Sequence, residues 1–550
     1  MNFLYYGDNL TIMERILPSQ CVDLIYLDPP FNSKQNYNLM YKNMTGKPVP
    51  EQAEAFCDTW EMDAEKIEIA KNMPMLMREH GIDDYYAQFW DIWVKALART
   101  QPHLLAYLIY MVQRLLFMKV VLKPNGSIYL HCDPTASHYI KVMMDGIFGH
   151  ANFRSEIIWK RTSSHNSAKR WGPVHDVILY YTKSHKYTWN RISQPYDEKY
   201  IEAFYKYKDQ KGRFRLGDLT GAGTRTGDSG KAWRGVNPTD SGRHWAVPAV
   251  PGLSKQEIQK LTVQERLDLL DEKGLIYFPP KGSVPQFRRY LEPERGVAAQ
   301  DIITDIDPIS PHASERLGYP TQKPITLLDR IVRASSNPGD IVFDPFCGCG
   351  TTIYAAEKAG RKWIGCDIAI LSIQLITDVL IDKYQLTKGQ HFTVDGIPVS
   401  VEQAKDLWSR DKHQFQHWVV EKVGGFPTKK KSSDYGVDGR VYFDTKNGLK
   451  DMVISVKGGE TVKPADVREI RGVLEREQSS EIAGFLSIKP PTKAMKDEAA
   501  AAGFYEYMGI NYQRIQFLTV QQILEEKRLF HTPSVVGSRV KTNQLSFPFQ

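Results

Sequence analysis

Apolar residues follow two spacings along this chain, and the switches between them lay out its elements. FLYYGDN reads as a short strand closed by a Gly-Asp-Asn turn, LTIMERIL as a helix, and CVDLIYLDPPF as a buried strand that stops at Asp28. After Ser33 a long polar and helical insertion runs to about Lys123. KPNGSIYLHCD then reads as a turn and buried strand, followed by a helix over about 136–148. SEIIWKR and DVILYYTKS add two strands. From about 185 to 311 periodicity is lost among Gly, Arg, Trp and Tyr, as in GAGTRTGDSGKAWRG. It returns as ITLLDRIVRASS (helix), GDIVFDPF (strand), TTIYAAEKAG (helix) and KWIGCDI (strand). Such alternation predicts an α/β fold with a mostly parallel sheet and helices on both faces. Beyond about 412, HQFQHWVVEKVGG, GVDGRVYF, DMVISVKGG, ADVREIRGVLERE and EIAGFLSI predict a second, smaller α/β domain.

These shifts divide the chain into a first domain over 1–184 and 312–385, an inserted region over 185–311, a linker over 386–409, the second domain over 410–530, and a tail over 531–550. A length of 550 residues with 42% hydrophobic content agrees with two or three domains. The longest apolar run, LLAYLIYMV at 104–112, is well short of the ~20 residues of a membrane span, and no basic-then-apolar leader opens the chain. No membrane partner and a cytoplasmic location are the expectation. Six cysteines without a CxxC pair give no zinc pattern and fit reduced thiols. A net charge of +7 suits a polyanion partner only mildly.

Candidate chemistry gathers where strands end. FDPFCGCGTT, at 343–352, sets Gly348 and Gly350 between a strand and the next helix, where backbone amides approach a ligand. Its spacing is not that of GxGxxG. WIGCDI then ends a strand with Asp367, about where an acid accepts from ribose hydroxyls.

LDPPF, YPTQKP (319–324) and DPFCGCGTT together resemble three motifs of amino-group DNA methyltransferases that use S-adenosylmethionine. Their order, catalytic before cofactor with a variable region between, resembles the β class, over about residues 1–385. That resemblance implies a Rossmann-like, circularly permuted methyltransferase fold with 185–311 as target-recognition region. It implies a cofactor loop of Phe346, Gly348, Gly350 and Thr351, with Asp344 near the methionine amino group, Asp367 on the ribose, Thr321 and Lys323 flanking the methionine, and Asp8 near the adenine. Capping of the next helix is the other reading of Asp8.

The chemistry of an exocyclic amine explains the Asp-Pro-Pro-Phe run. The lone pair of that nitrogen is delocalised into its ring, so a catalyst must draw it toward sp³ character. On that resemblance Asp28 and the Pro29 carbonyl can take the two amino hydrogens, with Pro30 restricting Pro29 to an extended conformation and Phe31 supplying a face for an extruded base; a strand that ends in an Asp-Pro turn is the other reading. Asp at the first position resembles adenine-N6 enzymes more than cytosine-N4 enzymes. Lys160, Arg161, Lys169, Arg170, Arg225, Arg234, Arg243, Arg288 and Arg289 lie among Trp171, Trp233, Trp245 and Tyr290, a pattern suited to phosphates and unpaired bases of double-stranded DNA or to a basic region with its own small core.

In the second domain, Asp438 and Lys457 on successive strands resemble the Mrr-type branch of the PD-(D/E)xK nuclease fold, whose acid and Glu/Gln-x-Lys pair hold a divalent cation such as Mg²⁺. Ser455 stands where Glu or Gln is expected, leaving Asp438 as metal ligand with Glu421 or Glu469 as substitutes. The expectation is a site-specific adenine-N6 DNA methyltransferase in a restriction-modification or phage-defence context. A bifunctional enzyme that also cleaves unmethylated DNA and a non-catalytic DNA-binding scaffold are the alternatives. A homodimer and a restriction-system partner are both left open.

Overall fold

Nine strands form one sheet in the order Ile302–Ile303, Phe153–Lys160, His175–Thr182, Leu122–Cys132, Val22–Leu27, Ile341–Asp344, Lys362–Asp367, Asn2–Tyr6, Phe392–Asp395. The structure is a computed structural model describing residues 1–30, 60–162, 169, 171–280, 284–292, 296–310, 312–317, 319, 321–428, 436–446, 448–459, 462–476 and 480–533. Phe31 and Arg170 lie outside the described residues, as does most of the predicted tail. All sheet pairings are parallel except the two made by His175–Thr182, in line with the mostly parallel expectation.

Val22–Leu27 is buried at every position, as a central strand covered on both faces must be. Its side chains alternate between two cores. Leu24 and Tyr26 join one cluster with Tyr129, Ile178 and Ile353, while Ile25 and Leu27 join the other with Ile128, Leu130 and Leu179. The second cluster is filled mainly by the helix Pro102–Val121, which begins with proline in its first turn and buries most of its length. Among the described residues it is the one helix long and apolar enough to cross a membrane, extending past the nine-residue run that marks it in the sequence, and it serves here as a core helix.

Three boundaries differ from the sequence expectation. Residues 386–409 are no linker: Phe392–Asp395 pairs with Asn2–Tyr6 at the sheet edge, and Val401–Arg410 is a helix. FTVD is too short to stand out as a strand, yet its Phe392 is fully buried. Ile302–Ile303 also belongs to the large sheet, and the inserted unit runs from Arg191 to Gln300. The C-terminal segment forms a five-stranded sheet in the order Phe426–Pro427, Gly439–Thr445, Gly448–Lys457, Ser480–Ser487, Ile515–Thr519. It falls in the same compact unit as residues 1–190, and one apolar cluster runs from Leu4 and Ile376 to Trp418 and Leu486. The inserted unit, taken by itself, has small antiparallel sheets around Leu219, Trp233, Trp245, Leu267 and Leu270.

The two sequence-distant halves of the large sheet are stitched by Asp23. Its carboxylate accepts from the Ile341 amide at 2.9 Å and from Lys123 Nζ at 2.7 Å, on the strand pair that joins the halves. Asp23→Ala strands that amide, so a loss of about 1–3 kcal/mol in urea-unfolding free energy is expected; an unchanged midpoint would contradict the role.

Candidate active site

The carboxyl ends of Val22–Leu27, Ile341–Asp344, Lys362–Asp367 and Asn2–Tyr6 lie side by side, the place where open α/β sheets bind ligands. A cavity of about 210 Å³ opens there. Its lining draws Asp28, Pro29 and Pro30 from the first motif, Thr321 and Lys323 from the second, and Asp344, Phe346, Gly348 and Thr351 from the third, together with Asp367. Three motifs separated by up to some 320 positions therefore share one wall.

Asp28 follows directly on the buried strand. Lys323, itself buried, donates from Nζ to Asp28 Oδ2 at 2.5 Å. Among the described residues, Asp28 Oδ1 is buried without a hydrogen-bond partner. A buried acceptor left unpaired costs free energy unless something supplies a donor. Behind it, Tyr26 lines the cavity and bonds to His131 Nδ1 at 2.8 Å, and His131 Nε2 lies 3.1 Å from Asp176 Oδ2. Burial acts to raise the Asp176 carboxyl, but His131, Lys323 and Arg161 more than offset it and hold the group below its ordinary value. As a carboxylate Asp176 only accepts, so His131 donates to it from Nε2.

The glycine-rich turn is built for close approach. Gly348 (φ +49°) and Gly350 (φ +88°) both take the left-handed region. A Cβ at Gly350 would lie 2.8 Å from Ile376 and 2.9 Å from Tyr354, so this glycine, which does not line the cavity, is there for packing at the helix start. The Gly348 amide donates to Asp367 Oδ2 at 2.9 Å, and the Phe346 amide to Asp344 Oδ1 at 3.0 Å. Burial pushes the Asp344 carboxyl up to about 7 and Asp367 up to about 6. Three acids face one lysine around this space, a setting that favours a cationic ligand.

Asp8 is corrected. It caps the helix Asn9–Arg15 through the Leu10 and Thr11 amides, pairs with Arg114 Nη2 at 2.5 Å, and does not line the cavity. Its neighbours Gly7 and Asn9 do. Arg114 also bonds Asn9 Oδ1 at 2.7 Å and lies 3.4 Å over the Tyr110 ring, a cavity wall that the sequence reading missed. The one available signal was an arginine inside the apolar run that forms the helix Pro102–Val121. Tyr319, also missed, was in view as the first residue of YPTQKP.

The basic candidates divide. Lys160, Lys169 and Arg225 are exposed, and Trp171 is fully so, while Arg161 pairs with Asp176 at 3.2 Å. Inside the inserted unit Arg234 pairs with Asp271, Arg243 bonds Thr220 Oγ1 at 2.7 Å, and Arg288 bonds Asp209 at 3.2 Å; Arg289 is exposed. Trp233 and Trp245 are not stacking faces: both are buried, their indole N–H groups donating to Asp268 and to the Lys231 carbonyl, because so small a unit needs its largest apolar side chains for a core. Tyr290 donates to Asp209 at 2.6 Å.

In the C-terminal sheet, Asp438 accepts from Gln416 Nε2 at 2.9 Å and from the Val456 amide at 2.7 Å. Ser455 is buried, Lys457 lies 3.7 Å from Asp466, and Glu469 is exposed. Glu421 is not at that site: it accepts from the Ile370 amide beside Asp367. Among the described residues no group of three His, Cys, Asp or Glu is placed to hold a metal ion. With both Asp438 oxygens engaged and a serine beside it, these residues do not fit a divalent cation.

A family model described as DNA methylase (N6_N4_Mtase) matches residues 22–378, well over half of the chain. The chain belongs to the DNA methylase family. The Type II methyltransferase M.EcaI of Enterobacter cloacae is 34% identical to it over 272 residues, covering 49% of this chain and 56% of that protein. The Type III restriction-modification enzyme StyLTI Mod subunit of Salmonella typhimurium (strain LT2) is 25% identical over 390 residues, covering 67% and 52%. The match thus spans about half the length of these curated relatives. The solved M1.HpyAVI–SAM complex aligns with 69% of this chain and 99% of its own at 14% identity and a TM-score of 0.27.

The cavity of this DNA methylase family member fits S-adenosylmethionine by the chemistry of its walls. Asp344 and Asp367 suit an ammonium group and ribose hydroxyls, Phe346 and Tyr110 offer ring faces, and Gly348, with no side chain, allows close approach. Asp344 and Asp367 titrate higher in the fold than their ordinary 3.8, so the stability they confer is complete below that value and is lost as pH rises through about 6 to 7. Asp344→Asn cannot ionise. Its melting temperature relative to wild type, without ligand, is expected to rise between about pH 4 and pH 7 and then level off; parallel curves would contradict the shift.

Proposed function

We propose that this chain transfers a methyl group from S-adenosylmethionine to adenine N6 of a base extruded from double-stranded DNA. The observation that carries the reading is Asp28, which lines the cavity with the glycine turn and Asp367 and whose Oδ1 is a buried acceptor without a partner among the described residues. An amine placed there supplies the missing donor.

S-adenosylmethionine supplies a methyl carbon on a positively charged sulfur that leaves with the bonding pair as a neutral thioether. Lys323 donates to Oδ2, which leaves Oδ1 of this cavity-lining residue as the acceptor for the amine. Asp28 Oδ1 and the Pro29 carbonyl each accept one amino hydrogen, which pulls the nitrogen toward sp³ and frees its lone pair for the new N–C bond. The surplus amino proton passes to Asp28 and on to solvent. Orientation and hydrogen bonding carry the rate. A base inside the duplex is out of reach, so it is extruded first. Exposed Lys160, Lys169 and Arg225 are offered to the phosphates. Aspartate rather than serine as the acceptor favours adenine, and the match to restriction-modification methylases favours a host-protection role. Cleavage is not part of this reading, because the residues around Asp438 do not fit the metal it would need.

Asp28→Ala is expected to lower kcat for DNA methylation by about 10³-fold or more, with the Kd for S-adenosylmethionine held within about threefold. Residual transfer near the wild-type rate would refute the role of Asp28.

A further inference from the structure

We propose that Glu421, from the C-terminal segment, is a positioning residue for the cofactor carboxylate Asp367. The inference rests on the methyl-transfer reading and assigns part of that site to a segment outside the methylase match.

Asp367 ends its strand, Ile368 lines the cavity, and the helix Ile370–Asp382 begins two residues later. That helix lacks a cap of its own: Ala369 at the cap position has no side-chain acceptor, and the first turn carries no acid. Its opening amides are satisfied from two directions. Ala369 N donates to Asp367 Oδ1 at 2.8 Å, and Ile370 N donates to Glu421 Oε2 at 3.2 Å. Asp367 therefore points to the Gly348 amide from a turn held on its far side by Glu421.

The helix Lys412–Lys422 that delivers Glu421 is itself fixed. Phe415, Trp418 and Val419 are buried in the apolar cluster that includes Leu4, Ile370 and Ile376. Burial, with the Asp367 charge as a lesser contributor, pushes the Glu421 carboxyl up to about 8. Its neutral form still accepts through the carbonyl oxygen, so the contact needs an acceptor and not a charge. Loosening it lets the turn at 367–370 shift and weakens cofactor binding, while Asp28 and its chemistry stay in place.

The test uses the full chain with Glu421→Gln, which keeps an acceptor, and Glu421→Met, which keeps the volume without one. Glu421→Met is expected to raise both the Kd and the KM for S-adenosylmethionine about five- to tenfold with kcat and the KM for DNA unchanged, and Glu421→Gln to restore wild-type values. Glu421→Met with wild-type affinity, or Glu421→Gln as weak as Glu421→Met, overturns the proposal alone. Wild-type protein that binds no S-adenosylmethionine overturns the functional reading and this proposal with it. Should Glu421→Met fail to fold, hydrogen exchange at the Ile370 amide of the wild type decides: slowing on addition of S-adenosylmethionine supports the contact, and unchanged exchange overturns it.

Discussion

One ion pair organises this site. Lys323 reaches Asp28 across 295 positions of sequence, and its ammonium takes one carboxylate oxygen while the other is buried and, among the described residues, unpaired. Neither residue is enclosed by accident: Asp28 sits at the end of a fully buried strand, and Lys323 on a loop braced by Gln322, whose side chain accepts from the Leu317 amide and donates to the Glu315 carbonyl. Taking one oxygen away from water and giving the other nothing is a local cost. In the proposed function, a donor on the substrate offsets that cost.

The same economy governs the cofactor wall. Asp344 and Asp367 are buried far enough to titrate near neutrality, held by backbone amides of the very turn they support. A cationic ligand relieves them both. The acids are thus unfavourable for the empty fold and favourable for the loaded one, the usual direction of compromise at a functional site.

Much of this was legible in the sequence because it depends on backbone position. A strand that is apolar at every residue and then meets Asp-Pro-Pro must end at a sheet edge, and glycines between strand and helix must serve close approach; the cavity lining agrees for Asp28, Phe346, Gly348 and Asp367. What depends on side chains meeting across the fold was not legible. Asp8 pairs with an arginine on a distant helix, and Tyr110 reaches the cavity from an insertion with no motif. Trp233 and Trp245 look from composition like stacking faces and are core. FTVD and the helix Val401–Arg410 were read as linker because neither has length or period enough, yet they continue the first sheet toward the C-terminal segment. That continuity is why Glu421 ends beside Asp367 and not beside Asp438.

The central claim is a methyl group on adenine N6 of DNA. It is tested most directly by incubating the purified chain with duplex DNA of varied sequence and S-adenosylmethionine carrying a labelled methyl group, then digesting to nucleosides for mass spectrometry. The account predicts label in N6-methyldeoxyadenosine. Label in N4-methyldeoxycytidine would contradict the base, and DNA without label would contradict the account.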